Sequence, residues 1–209
     1  MVGPLAAGLA VALITLVAVV GPLLGLSPAW IVLAVVLALG GLSLDAASFS
    51  GLGGHVLAEA LPGGQRRLRR IAVHEAGHEL VAGLVDLPVG EVLIGSLACL
   101  RAGLPAQGST TLQPPPQAKL PVADLRRWSK VLQAGMVAEQ LLCGEALGGA
   151  DDRALLGRLW GLSGYDVSTA QLEQRRARRE VEQWLRQQRQ QLEQRSEVLL
   201  AAAPRLGWP

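Results

Sequence analysis

The first 44 residues contain no Asp, Glu, Lys or Arg, and all 19 basic and 17 acidic residues lie from Asp45 onward. Uncharged length of that order excludes an ordinary solvated segment at the start of the chain. Aromatic residues make up only 3% of the chain, too few for a base-stacking surface. The net charge of +2 gives no electrostatic basis for a nucleic-acid partner. The two cysteines, Cys99 and Cys143, are far apart and form no CxxC pair. That excludes a disulfide framework and reads as free thiols in a reducing compartment. Neither of the two lysines, Lys119 and Lys130, sits in a GxxxxGKS/T loop, so a phosphate-binding loop of that type is excluded. No internal repeat is visible.

Two apolar stretches open the chain, from about Leu5 to Leu26 and from about Ala29 to Leu44 or Ala47. Gly25-Leu26-Ser27-Pro28 separates them with a turn signal. A spanning helix needs about 20 apolar residues. The pattern predicts a transmembrane helical hairpin, residues 1–47, with both ends on one side of a lipid bilayer. A signal peptide would begin with positive charge and carry a short apolar core, and this chain does neither. Arg66, Arg67, Arg69 and Arg70 follow the second stretch, while the turn has no basic residue. The positive-inside rule then places residues 45–209 on the cytoplasmic side or its stromal equivalent.

Residues 48–65 are glycine-rich and read as a flexible connector with one helical turn around Val56 to Leu61. Helical spacing of apolar residues follows from Gln65 to Leu87, ended by Pro88. Val89, Val92, Leu93, Ile94, then Leu97, Cys99 and Leu100 suggest one or two short strands. Gln107–Leu112 suggests another, stopped by Pro114-Pro115-Pro116. A helix is expected over Ala123–Cys143, closed by Gly144, and a third from the Asp151/Asp152 turn to Leu162, with an Asp as N-cap. Ser168 to Ala203 reads as one long helix. Its Leu185, Leu192 and Leu199, seven apart, are expected to pack within the domain, and Arg175–Arg179 to form a solvated, salt-bridged face. The fold class is mainly α, with a small β element in a mostly helical domain over residues 66–209.

The chemistry concentrates in His74-Glu75-Ala76-Gly77-His78. Two histidines four residues apart project from one helical face and can grip one zinc ion. The Glu between them is placed to act as general base toward water activated by the metal. Only three histidines exist, and two fall in this motif. The third, His55, lies in the connector with no ligand spacing and reads as structural or solvent-exposed. A catalytic zinc site needs a third protein ligand and an open position. No third His follows the motif, so the candidates are Asp151, Asp152, Glu139, Glu145 and Cys143.

His74-Glu75-Ala76-Gly77-His78 resembles the active-site signature of the FtsH-type membrane metalloproteases. Gln107-Gly108-Ser109-Thr110 resembles that family's Gly-Tyr-Thr strand, and Ala134–Leu141 followed by Gly144 its Gly-Gly-Arg-x-Ala-Glu-Glu-Leu helix. Gly149-Ala150-Asp151-Asp152 resembles its Gly-Ala-x-x-Asp segment, one residue short. The resemblance covers roughly residues 65–203. It implies a zincin-type metallopeptidase domain in which His74, His78 and Asp152 hold zinc and Glu75 is catalytic. Asp151 is the alternative third ligand, and Glu139 supports the site without ligating. FtsH proteases carry an AAA+ ATPase between membrane and protease, and there is no room for one between Leu44 and His74. The chain thus resembles the ATPase-free FtsH-like peptidases of cyanobacteria and plastids. That implies a plasma or thylakoid membrane, protein or peptide substrates, and reliance on a partner ATPase or FtsH complex for stable ones. The family's rings leave homo-oligomerisation open. The competing expectation is an inactive FtsH-like membrane subunit or assembly factor, although a pure binding module has no need of Glu75.

Overall fold

A computed structural model describes residues 12, 14–113, 117 and 119–205. Residues 14–20 are helical, and a 3-10 turn spans Pro22–Leu24. The rest of the first expected span, and the Pro114–Pro116 turn, lie outside the described residues. Helix α1 runs Pro28–Phe49, with Pro28 preset at its first position and the Ser27 side chain accepting from the Ala29 N–H. At ~1.5 Å per residue its length matches a ~30 Å hydrocarbon layer. It is the one helix among the described residues long and apolar enough to cross a membrane, with mean hydropathy 2.1.

The helix continues one turn past Asp45, which is not its end. Asp45 instead accepts from the backbone N–H of Gly53 (2.8 Å) and Gly54 (2.9 Å), capping α2 (Leu52–Ala60) across the left-handed pair Ser50 and Gly51. The expected flexible connector is therefore largely helical, because its unsatisfied helix-start donors find an acceptor a turn back in the preceding helix. Contacts divide the chain into two compact units, residues 1–54 and 55–209.

In the second unit the order is α3 (Gly64–Leu84), β1 (Val89–Ile94), α4 (Ser96–Arg101), β2 (Gly108–Leu112), α5 (Val122–Cys143), α6 (Ala150–Leu162), α7 (Val167–Gln187) and α8 (Arg189–Ala202). The sheet is β1 against antiparallel β2, with Val92 opposite Thr110 and Ile94 opposite Gly108. Helix α3 stops at Leu84, short of the expected Leu87. Asp86 takes a left-handed φ of 52°, and Pro88 disfavours helix at the residue before it.

Leu97, Cys99 and Leu100 are helical in α4, not a strand. Gly95 turns the chain with φ 90°, and Glu59 reaches over from α2 to cap the new helix, accepting from Ser96 N–H (2.9 and 3.0 Å) and Ser96 Oγ (2.7 Å). The long C-terminal helix is broken at Gln188 (φ −103°, ψ 25°). The break lets Leu185 on α7 and Leu192 and Leu199 on α8 enter the same core. Arg195 then pins α8 to α3 through a two-point ion pair with Glu79 (2.6 and 2.8 Å).

The core is built where α3 meets α5. Ala72, Val73, Ala76 and Val81 face Val131, Ala134, Val137 and Ala138, all buried. Small residues permit a close crossing: a Cβ at Gly77 would stand 2.7 Å from both the Ala134 carbonyl and Ala138 Cβ. A second buried cluster, Leu125, Trp128, Leu132, Leu156, Leu159 and Trp160, seats α6 on α5. There Trp160 Nε1 donates to Ser129 Oγ (2.9 Å), so the buried indole N–H is satisfied.

Candidate metal centre

The close α3–α5 crossing sets the position of His74. A Cβ at Gly135 would overlap the His74 ring, so glycine there leaves room for the imidazole. His74 Nδ1 donates to Glu139 Oε1 (2.6 Å). Glu139 is almost fully buried and also accepts from the N–H of Leu147 (2.9 Å) and Gly148 (3.2 Å). One carboxylate thus orients His74 and ties down the loop that leads to α6. His78 Nδ1 lies 2.8 Å from the Val131 carbonyl, which can only accept. That nitrogen therefore carries a proton, and Nε2 is the ring nitrogen turned toward Asp152.

Both Nε2 atoms converge on one oxygen. Asp152 Oδ2 lies 3.1 Å from His74 Nε2 and 3.4 Å from His78 Nε2. Among the described residues, His74, His78 and Asp152 are the group whose donor atoms could hold a metal ion, all within 4.8 Å of one another. Ligands at ~2.0–2.1 Å in a tetrahedron are separated by about 3.3–3.4 Å, so the carboxylate-to-imidazole spacings suit zinc. Two imidazoles and a carboxylate, with the far nitrogens held by a carboxylate and a carbonyl, are also a chemically suitable donor set.

The other candidates fall elsewhere. Asp151 is exposed and outside the cluster. Gly149, with φ 82°, takes the N-cap position expected for an Asp, which leaves both aspartates in the first turn of α6. Glu145 pairs with Arg70 (3.2 Å). Cys143 is a half-buried free thiol at the end of α5, and Cys99 is a buried one. His55 meets the Arg67 guanidinium at Nδ1 (2.7 Å), and the same Arg67 Nη2 donates to Gln107 Oε1 (2.7 Å).

Glu75 is buried, and its Oε2 accepts from Thr110 Oγ1 on β2 (2.7 Å). Burial raises its pKa, while positive charge on His78 and His74 and the Thr110 hydrogen bond oppose the rise. A carboxyl shifted upward suits proton transfer near neutral pH. Glycine at 108 keeps the strand close, since a Cβ there would lie 2.7 Å from Glu75 Oε1. The Thr110 contact was not legible in the sequence; the likeness of residues 107–110 to a cleft strand was its only signal.

Burial by itself would lower the His74 pKa, but carboxylates on both ring nitrogens, Asp152 and then Glu139, raise it to about 10. Burial would raise Asp152, yet the two histidines hold it well below the usual carboxylate range. At pH 7 the metal-free site therefore holds a proton on His74 that a metal must displace. Zinc binding is expected to release at least one proton per ion. Affinity should tighten about tenfold per pH unit as pH rises from 7 toward 10, the range over which His74 gives up that proton. Calorimetry in buffers of different ionisation enthalpy reads the released proton; equal heats in all buffers would show that none is displaced.

No family model matches the chain, and no curated protein matches it. The likeness to FtsH-type proteases rests on the motifs themselves.

Proposed function

We propose that this protein is a membrane-anchored zinc metalloendopeptidase with a zincin-type catalytic domain. The observation that carries this reading is the convergence of His74 Nε2, His78 Nε2 and Asp152 Oδ2 beside a buried Glu75 that hydrogen-bonds a strand. His74, His78 and Asp152 would hold the ion. Bound zinc supplies Lewis acidity, bringing the pKa of water toward neutrality and polarising a carbonyl. Glu75 takes the proton from the attacking water and passes it to the leaving amine. Thr110 holds the Glu75 carboxylate in place for both transfers. Among the described residues β2 pairs only with β1, so its other edge is suited to receive an extended substrate as an added strand.

The N-terminal hairpin would anchor the domain at the cytoplasmic or stromal face of a plasma or thylakoid membrane. Substrates would be membrane proteins or unfolded chains that reach the site extended, unless a partner ATPase or FtsH complex delivers them. The test is metal dependence. Detergent-solubilised protein should carry one zinc per chain and cleave casein. A chelator should remove both metal and activity, and zinc should restore both. Folded protein that takes up no zinc when it is offered would sink the enzyme reading and favour the inactive-subunit alternative.

A further inference from the structure

The chain that leads to Asp152 hangs between two glycines. Gly144 ends α5 and Gly149 begins α6, each with φ 82°, a left-handed conformation that glycine adopts without strain. Residues 145–148 between them belong to neither helix. The start of α6, and with it Asp152, takes its position from what this loop is tied to.

Gln140 closes only the end of its own helix, on the Gly144 carbonyl (2.6 Å). The ties that reach back to the histidines are Glu139 and Arg70. Glu139 accepts from the N–H of Leu147 (2.9 Å) and Gly148 (3.2 Å) while it holds His74 Nδ1 (2.6 Å). Arg70 lies one turn before His74 on α3. Its Nη1 donates to the Glu145 carbonyl (2.9 Å) and its Nη2 to Glu145 Oε1 (3.2 Å). The same Nη1 stands 3.6 Å from Glu139 Oε2. Among the described residues no other Lys or Arg pairs with that buried carboxylate. One rigid guanidinium plane thus links α3, α5 and the loop. Helix α3 carries both histidines, and the loop delivers the aspartate.

We propose that Arg70 is a positioning residue for the metal centre. Its fork locks the loop of residues 145–148, and so Asp152, against the helix that bears His74 and His78. This rests on the metal-site reading and adds to it the residue that couples the third donor to the first two. The sign of the effect separates positioning from charge. By charge alone, removing a cation near the site would tighten zinc binding. Removing a clamp loosens it.

Zinc affinity is measured on full-length protein in detergent by competition with a chromogenic chelator. Amide exchange of residues 144–152 is followed by mass spectrometry on the same preparations, metal-free and zinc-saturated. Arg70→Met should bind zinc about tenfold more weakly. Exchange over residues 144–152 should quicken about tenfold, while the buried stretch of α5 from Val131 to Ala138 keeps wild-type protection. Arg70→Lys keeps the charge but replaces the planar fork with a single nitrogen, so it should fall between Arg70→Met and wild type in both readouts. It decides alone should Arg70→Met fail to fold. Added to Glu139→Gln, Arg70→Met should weaken zinc little further, because both act on one loop. Wild-type zinc affinity in either Arg70 variant, or tighter binding in Arg70→Met, overturns the assignment. So does exchange that quickens throughout α5 in a folded variant, which would mark Arg70 as merely structural. In each of those cases zinc uptake by the wild type leaves the metal reading standing. Wild-type protein that takes up no zinc sinks both.

Discussion

Glu75→Gln is expected to abolish proteolysis, lowering kcat/KM by about 10²–10⁴-fold, with one zinc still bound per chain. Glutamine keeps the shape and can still accept from Thr110, so the strand contact at 2.7 Å survives. What it cannot do is take a proton. Glu75 also contributes no atom to the cluster of His74, His78 and Asp152, so its neutralisation should leave the donor set intact. Zinc content by elemental analysis and casein cleavage on the same preparation check both halves. Retained activity would show that Glu75 is not the general base, and lost zinc would show that it serves the metal site instead.

Asp152→Ala should lose zinc, with affinity falling by more than the ~10–100-fold that loss of an outer hydrogen-bond partner costs a metal site. Oδ2 of Asp152 is the one atom that both imidazoles approach, at 3.1 and 3.4 Å, so its removal takes away the only negative donor and leaves two histidines. Asp151→Ala is the matched control and should bind zinc as the wild type does, because Asp151 is exposed and apart from the cluster. Competition with a chromogenic zinc chelator ranks the variants. The reverse ranking would make Asp151 the ligand and require the start of α6 to turn by about one residue, roughly 100° of helix.

The candidate metal-binding histidine pair was legible because its geometry is local. Residues four apart on a helix share a face whatever the rest of the chain does. The α1 span was legible for a similar reason, since uncharged length is a property of the sequence itself. The connector was misread because Asp45, which caps α2, sits inside the preceding apolar helix and looked like that helix's exit. The α4 segment was misread because its cap, Glu59, lies 37 residues before Ser96. The single C-terminal helix was misread because its period stays in register through Gln188. Only packing against α3 shows where it bends.

The sequence by itself therefore determined the HExxH motif, the mainly helical character and the long apolar segment, all of which follow from periodicity and composition within a turn or two of chain. It left five residues open as the third donor. Tertiary structure alone brought Asp152, and not its neighbour, to the two histidines. It set Glu139 and the Val131 carbonyl behind them, and Thr110 on Glu75. Those contacts join residues 35 to 78 positions apart. They depend on how closely α3 and α5 cross at Gly77 and Gly135, a distance fixed by packing small residues together and not by any local preference of the backbone.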